Sequence, residues 1–98
     1  MTTGDGETVS VGVSIEGRVQ GVWFRGWMIR EADARNLRGW VRNRRDGTVE
    51  AVFAGPAEIV TDMVEACWNG PPAARVTAVR TASTEDPGDA DFDYRQTI

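Results

Sequence analysis

Val9, Val11, Val13 and Ile15 alternate with polar or small residues, the two-residue period of a half-buried strand. A glycine-bracketed loop, GRVQGV, follows. From about Phe24 to Leu37 the period becomes helical, with Phe24, Met28 and Ala32 four residues apart and Trp27 beside them. Asn36 falls where this helix is expected to end, since asparagine tolerates the left-handed conformation common just past a helix. RGWVRN then predicts a short strand over Gly39 to Asn43, and Asp46-Gly47 a hairpin turn. Val49, Ala51 and Phe53 alternate in the returning strand. Past Gly55-Pro56, Ile59, Val60, Met63, Val64, Cys67 and Trp68 form a second helical stripe, which Gly70-Pro71-Pro72 stops. Val76 to Thr81 reads as a strand, EDPGDAD as a polar loop, and Phe92, Tyr94 and Ile98 as a last strand.

The order is βαββαβ plus a terminal strand. One antiparallel sheet with both helices on one face buries every stripe, so the expected fold is an α+β, ferredoxin-like α/β sandwich. A length of 98 residues suits one domain, expected over residues 8–98 after a flexible polar segment at residues 1–7. Trp40, Trp68 and Cys67 are expected in the core, and Trp23 and Trp27 as packing or rim aromatics, with contact to a ligand as the alternative for Trp23.

Composition narrows the chemistry. Histidine is absent and Cys67 is the single cysteine, which excludes an internal disulfide, histidine-based zinc sites and imidazole triads. The net charge of −4 argues against a broad nucleic-acid footprint. It also hides an asymmetry: every basic residue is arginine, most of them between Arg18 and Arg45, while Glu85 to Asp93 is acidic. The basic first half suits a small anionic ligand. No apolar run reaches the ~20 residues of a membrane span, and the N-terminus lacks the pattern of a signal peptide. The expected compartment is the cytoplasm.

GRVQGVWFR is where the chemistry concentrates. A loop that leaves a strand and enters a helix presents backbone N–H groups that the helix leaves unpaired. Their partial positive charge attracts phosphate or carboxylate. Gly17 and Gly21 let the backbone approach a ligand closely. Arg25 opposes the helix dipole in the first turn, an arrangement that a bound anion makes favourable. Taken alone, the same features also describe an ordinary turn with a solvated arginine. The loop matches neither the Walker pattern nor G-x-G-x-x-G.

GRVQGVWFR, then GWVRN, then DGTVE closely resemble the acylphosphatase family, in order and spacing, across about Val9 to Ile98. The resemblance implies the same ferredoxin-like fold and hydrolysis of the carboxyl–phosphate bond of acyl phosphates, with no metal or organic cofactor. It implies Arg25 as the essential arginine and Asn43 as the essential asparagine, which positions the attacking water. The loop Arg18, Val19, Gln20, Gly21, Val22 and Trp23 resembles the phosphate cradle, working mainly through backbone N–H groups. Without the resemblance, Asn43 reads as the start of a turn. Gln20 reads as a residue that shapes the loop. Arg42, Arg44 and Arg45 read as a solvated hairpin rim. Two positions depart from the usual family pattern, Met28 in the first helix and Arg35-Asn36 before Leu37; Arg35 is expected to extend from the helix edge.

The rival is a non-catalytic ferredoxin-like module binding an anion or RNA, because one fold serves many functions. RNA binding needs stacking aromatics on an open sheet face and an RNP-like stretch, and the stretch is missing. A larger carbamoyl-transferring maturation protein is a third context, lacking here its zinc-finger cysteines. The favoured expectation is a standalone monomeric enzyme acting on a small-molecule acyl phosphate, without nucleic-acid or membrane partners.

Overall fold

The computed structural model describes residues 7–98, so the flexible segment expected over residues 1–7 lies, Glu7 apart, outside the described residues. Seven elements follow in the expected order: β1 Thr8–Arg18, α1 Phe24–Ala34, β2 Arg38–Asn43, β3 Val49–Pro56, α2 Ala57–Cys67, β4 Arg75–Ser83 and β5 Asp93–Tyr94. The sheet runs β4-β1-β3-β2-β5. β3 lies antiparallel between β1 and β2, and β1 lies antiparallel between β3 and β4. Two βαβ units therefore interleave, each helix crossing one intervening strand, which is the ferredoxin-like arrangement. β5 adds to the outer edge of β2 in parallel, pairing Trp40 with Asp93 and Val41 with Tyr94. Beyond it, Arg95 N–H donates to the Val41 carbonyl at 2.7 Å and Ile98 N–H to the Asn43 carbonyl at 3.3 Å. The C-terminal residues thus continue alongside β2 although the regular strand is short.

The core follows the periods in the sequence. Val13 and Ile15 of β1, Val41 of β2, and Val49, Ala51 and Phe53 of β3 point toward the helices and are buried. They meet Phe24, Met28 and Ala32 of α1, and Val60, Met63 and Cys67 of α2. Phe92 closes the β2 end by stacking on Phe53, with ring centroids 5.6 Å apart. Phe24, the first residue of α1, holds that helix start in the core, and Gly70 leaves room for its ring: a Cβ there would lie 2.6 Å from the Phe24 ring.

Helix α1 ends in a Schellman motif. Asn36 takes φ 56°, Leu37 N–H donates to the Ala32 carbonyl at 2.9 Å, and Asn36 N–H to the Asp33 carbonyl at 3.0 Å. The left-handed cap read from Asn36 is present. Arg35 does not extend freely into solvent. It bridges the helices, pairing with Glu31 at 2.7 Å and with Asp62 of α2 at 2.8 Å.

Two tryptophans expected in the core lie elsewhere. Trp68 is 50% exposed, because Val60, Met63 and Cys67 form a narrow buried stripe and Trp68 sits just past its end. Trp40 alternates with Val41 and so faces the open side of the sheet. Its half-buried ring lies between the guanidinium groups of Arg42, 4.7 Å from the centroid, and Arg95, 4.6 Å. Trp27 packs against the core, edge to face with Phe24 at 5.3 Å.

Cys67 is fully buried as expected, and burial pushes its thiol up to about 12 from an ordinary 9.0. An acid whose pKa is raised by folding stabilises the fold below its unfolded pKa and loses that contribution as pH rises above it. Between pH 9 and 12, this site is expected to cost about 1.4 kcal/mol of stability per pH unit. Urea unfolding of wild type and Cys67→Ala at pH 8 and 10 checks this; a parallel pH response in the two proteins would contradict it.

Candidate active site

The chain leaves β1 at Arg18, opposite Arg75 of β4, and enters α1 at Phe24. Gly17 and Gly21, at the two ends of this passage, have different tasks. Gly17 sits at a β-bulge with φ 125°, and a Cβ there would overlap the Arg75 carbonyl oxygen. It serves strand packing, not close approach to a ligand. Gly21, with φ 74°, has open space where a Cβ would stand and lines the cleft described below.

Helix α1 begins without a side-chain cap and without an acidic residue in its first turn. Its first bond runs from Trp27 N–H to the Trp23 carbonyl at 3.0 Å. From Gln20 through Gly26, no backbone N–H has a protein acceptor among the described residues. A whole loop and helix start therefore present unpaired donors at the positive end of the helix dipole. Trp23, at the helix N-cap, adopts φ 69° and ψ 26°. For an aromatic residue this left-handed conformation costs on the order of 1–3 kcal/mol. Its indole lies against Gly26, where any larger residue would collide with it, and Arg30 sits 5.6 Å from the ring centroid.

These donors open onto a cleft of about 430 Å³ between the loop, the start of α1 and the ends of β2 and β5. Val19, Gln20, Gly21 and Trp23 line it from the loop; Arg18 and Val22 do not. Arg25 of α1 and Asn43 of β2, neighbours in neither sequence nor element, both line this cleft. Arg25 is the one charged side chain lining the cleft, and it forms no ion pair among the described residues. Asn43 ends β2 on the same face as Val41, and its side chain has no hydrogen-bond partner among the described residues. Both groups are free to bind a ligand.

The carboxylates nearest the Asn43 turn are engaged. Glu50 accepts from Arg42 at 2.8 Å and lies 3.7 Å from Arg44. Asp46 accepts from the Thr48 hydroxyl at 2.7 Å and from its N–H at 2.9 Å. Those bonds, the hydroxyl's first, hold the Asp46 carboxyl below the usual range. Arg42 and Arg44 are thus partly paired, while Arg45 is exposed.

Gln20 shapes the loop, and the structure shows how. Its Nε2 donates to the Arg44 carbonyl at 2.7 Å and to the Thr48 carbonyl at 2.8 Å. The amide ties the loop to the turn that begins just after Asn43. This one side chain directly connects the two cleft walls. Ile29 and Tyr94 were not legible as cleft residues from their local patterns. The signal that could have found them is spacing relative to other residues: Ile29 is one helical turn beyond Arg25, and Tyr94 alternates with the buried Phe92.

An α+β sandwich with an unpaired cation and free backbone donors at the mouth of one βα crossover offers the charge and donors that suit a small anion. The chain belongs to the acylphosphatase family, an enzyme family whose pattern it matches over residues 11–94. It is 48% identical to an acylphosphatase of Rhodospirillum rubrum over 86 residues, covering 88% of this chain and 94% of that protein. The solved acylphosphatase of Coxiella burnetii superposes with a TM-score of 0.87 at 34% identity, covering 97% of this chain and all of that one (100%). Full-length HypF contains a similar fold, with a TM-score of 0.84 over 93% of this chain and 12% of its own. At 22% identity that likeness is one of fold alone.

Gln20→Ala is expected to lower stability by about 1–3 kcal/mol, because two hydrogen bonds are lost, although each carbonyl keeps a backbone donor, Gly47 N–H on Arg44 and Arg44 N–H on Thr48. Gln20→Glu, which places a carboxylate against the same carbonyls, is expected to cost more. Urea unfolding at neutral pH measures both, and a Glu variant as stable as wild type would show that the clamp contributes nothing.

Proposed function

We propose that the cleft hydrolyses acyl phosphates to a carboxylate and inorganic phosphate, with Arg25 and Asn43 as its catalytic residues. One observation carries the reading: an unpaired arginine and a run of unpaired backbone N–H groups face the same cleft as an unpaired asparagine amide. The phosphoryl group sits in the loop, its oxygens taking N–H donors from Gln20, Gly21 and Trp23 and the guanidinium fork of Arg25. Charge that builds on those oxygens during transfer meets donors already in place.

Asn43 holds the attacking water. Its amide offers both a donor and an acceptor, enough to orient water in line with the P–O bond that breaks. Water oxygen bonds to phosphorus while the P–O bond to the acyl group breaks, and the carboxylate leaves with that electron pair. The leaving group of this mixed anhydride is a weak base and needs no proton. An amide is too weak a base to take the water's proton, which passes to a phosphate oxygen. A chain without histidine is adequate for such a reaction.

Arg25→Ala is expected to reduce kcat/KM at least 10²–10³-fold, the order seen when one preorganised donor is lost, with both binding and turnover affected. Asn43→Ala is expected to lower turnover while inorganic phosphate binds nearly as well as to wild type. Phosphate release from acetyl phosphate, with inhibition by inorganic phosphate, measures all three proteins. Near-normal turnover in Asn43→Ala would remove its water-positioning role, and a folded wild type without activity would remove the catalytic reading.

A further inference from the structure

The cleft has two chemically different ends. Helix α1 runs back from the loop along the sheet, so successive turns of the helix lie over successive positions of β2. Arg25 lies at its start, near Asn43 at the end of β2. Ile29 follows Arg25 by four residues, on the same stripe and about 6 Å further along the axis. On the sheet, Tyr94 pairs beside Val41, two residues back from Asn43 on the same face and about 6.6 Å along the strand. The polar pair and the apolar pair are therefore displaced in the same direction by similar distances.

The apolar end is open and unfilled by the protein's own side chains. Tyr94 is 63% exposed although it lies on the helix-covered side of the sheet, and Ile29 is only partly buried. Trp23 is 56% exposed, held in its left-handed conformation with its indole folded over Gly26, the residue after Arg25 and one helical turn before Arg30. Gly26 thus brings a large aromatic face to the cleft. Among the described residues no carboxylate and no second cation line this end.

We infer that Ile29, Tyr94 and Trp23 form an acyl-group subsite that selects acyl phosphates with a flat apolar or aromatic acyl group. The inference rests on the phosphate end lying at Arg25 and Asn43, as proposed above. With the phosphoryl group in the loop, the carbonyl carbon points away from it along the cleft, and its substituent falls between Ile29 and Tyr94. An acetyl group is too small to cover these surfaces, whereas a benzoyl ring covers them and removes apolar area from water. Specificity then comes from side chains that contact no phosphate oxygen.

Two readouts test the subsite separately from hydrolysis. The first is the ratio of kcat/KM for benzoyl phosphate to that for acetyl phosphate, in wild type, Tyr94→Ala and Ile29→Ala. The second is the affinity of benzylphosphonate relative to methylphosphonate, which needs no turnover. Both ratios are expected to favour the aromatic compound by at least about tenfold in wild type and to fall severalfold in each variant. Thermal unfolding confirms that the variants are folded, and Tyr94→Phe, which keeps the ring, is expected to retain the preference. Equal affinity of wild type for the two phosphonates, or ratios unchanged by both truncations, would overturn the subsite while leaving hydrolysis intact. Selective phosphonate binding without hydrolysis would support the subsite and overturn the catalytic reading instead.

Discussion

An uncapped helix start beside a cation is unfavourable by itself. Among the described residues the first N–H groups of α1 have no acceptor, its first turn holds no acidic residue, and Arg25 adds charge of the same sign. Trp23 adds backbone strain at the same point. The rest of the structure holds this arrangement in place. Phe24 is locked into the core by packing against Gly70, so the helix start cannot retract. β1 is paired on both sides, to β3 and β4, which fixes where the loop leaves the sheet. An anion in the cleft would satisfy in one step what the fold leaves open.

The two walls of the cleft come from segments distant in the chain, and their alignment depends on the ferredoxin-like topology. Inserting β3 between β1 and β2 carries the chain far enough across the sheet for α1 to cross over and return to β2. The start of α1 then stands near the end of β2, where Asn43 lies. Gln20 adds a direct tie between the loop and the turn after Asn43, with both bonds made to backbone carbonyls. Because those acceptors are backbone groups, the tie constrains the path of the chain more than the identity of the turn residues. The β2 edge is occupied by β5 and the residues after it, which also bring Tyr94 to the cleft.

Charge is distributed so that the cleft keeps its cation. Glu31 and Asp62 hold Arg35, Asp86 holds Arg38, Glu50 holds Arg42, and Glu16 holds Arg80. These are mostly exposed or half-exposed pairs, each of small energetic value. Their effect on the site is one of placement: these acids are engaged elsewhere, and among the described residues no acid lines the cleft beside Arg25. The surface is acidic overall, yet the field inside the cleft is set by one guanidinium and the backbone dipoles.

Periodicity alone determined the elements, their order and most of the core, because strands and helices bury stripes at periods of two and about 3.6 residues. Asn36 announced its cap, and Asp46-Gly47 its turn, through local backbone preference. Arg25, Asn43 and the loop were legible as candidates from motifs, and the loop's anion preference from the chemistry of a helix start. Local pattern could not place Trp40 and Trp68, since a large apolar residue at a strand or helix edge has the same periodicity whether or not another element covers it. Nor could it show that Gly17 serves strand packing while Gly21 faces the cleft; both are glycines with positive φ, distinguished only by what stands opposite them. Tertiary structure decided which side chains share the cleft. Asn43, Tyr94 and Arg25 are far apart in sequence, and only the pairing of β2 with β3 and β5 under α1 brings them together.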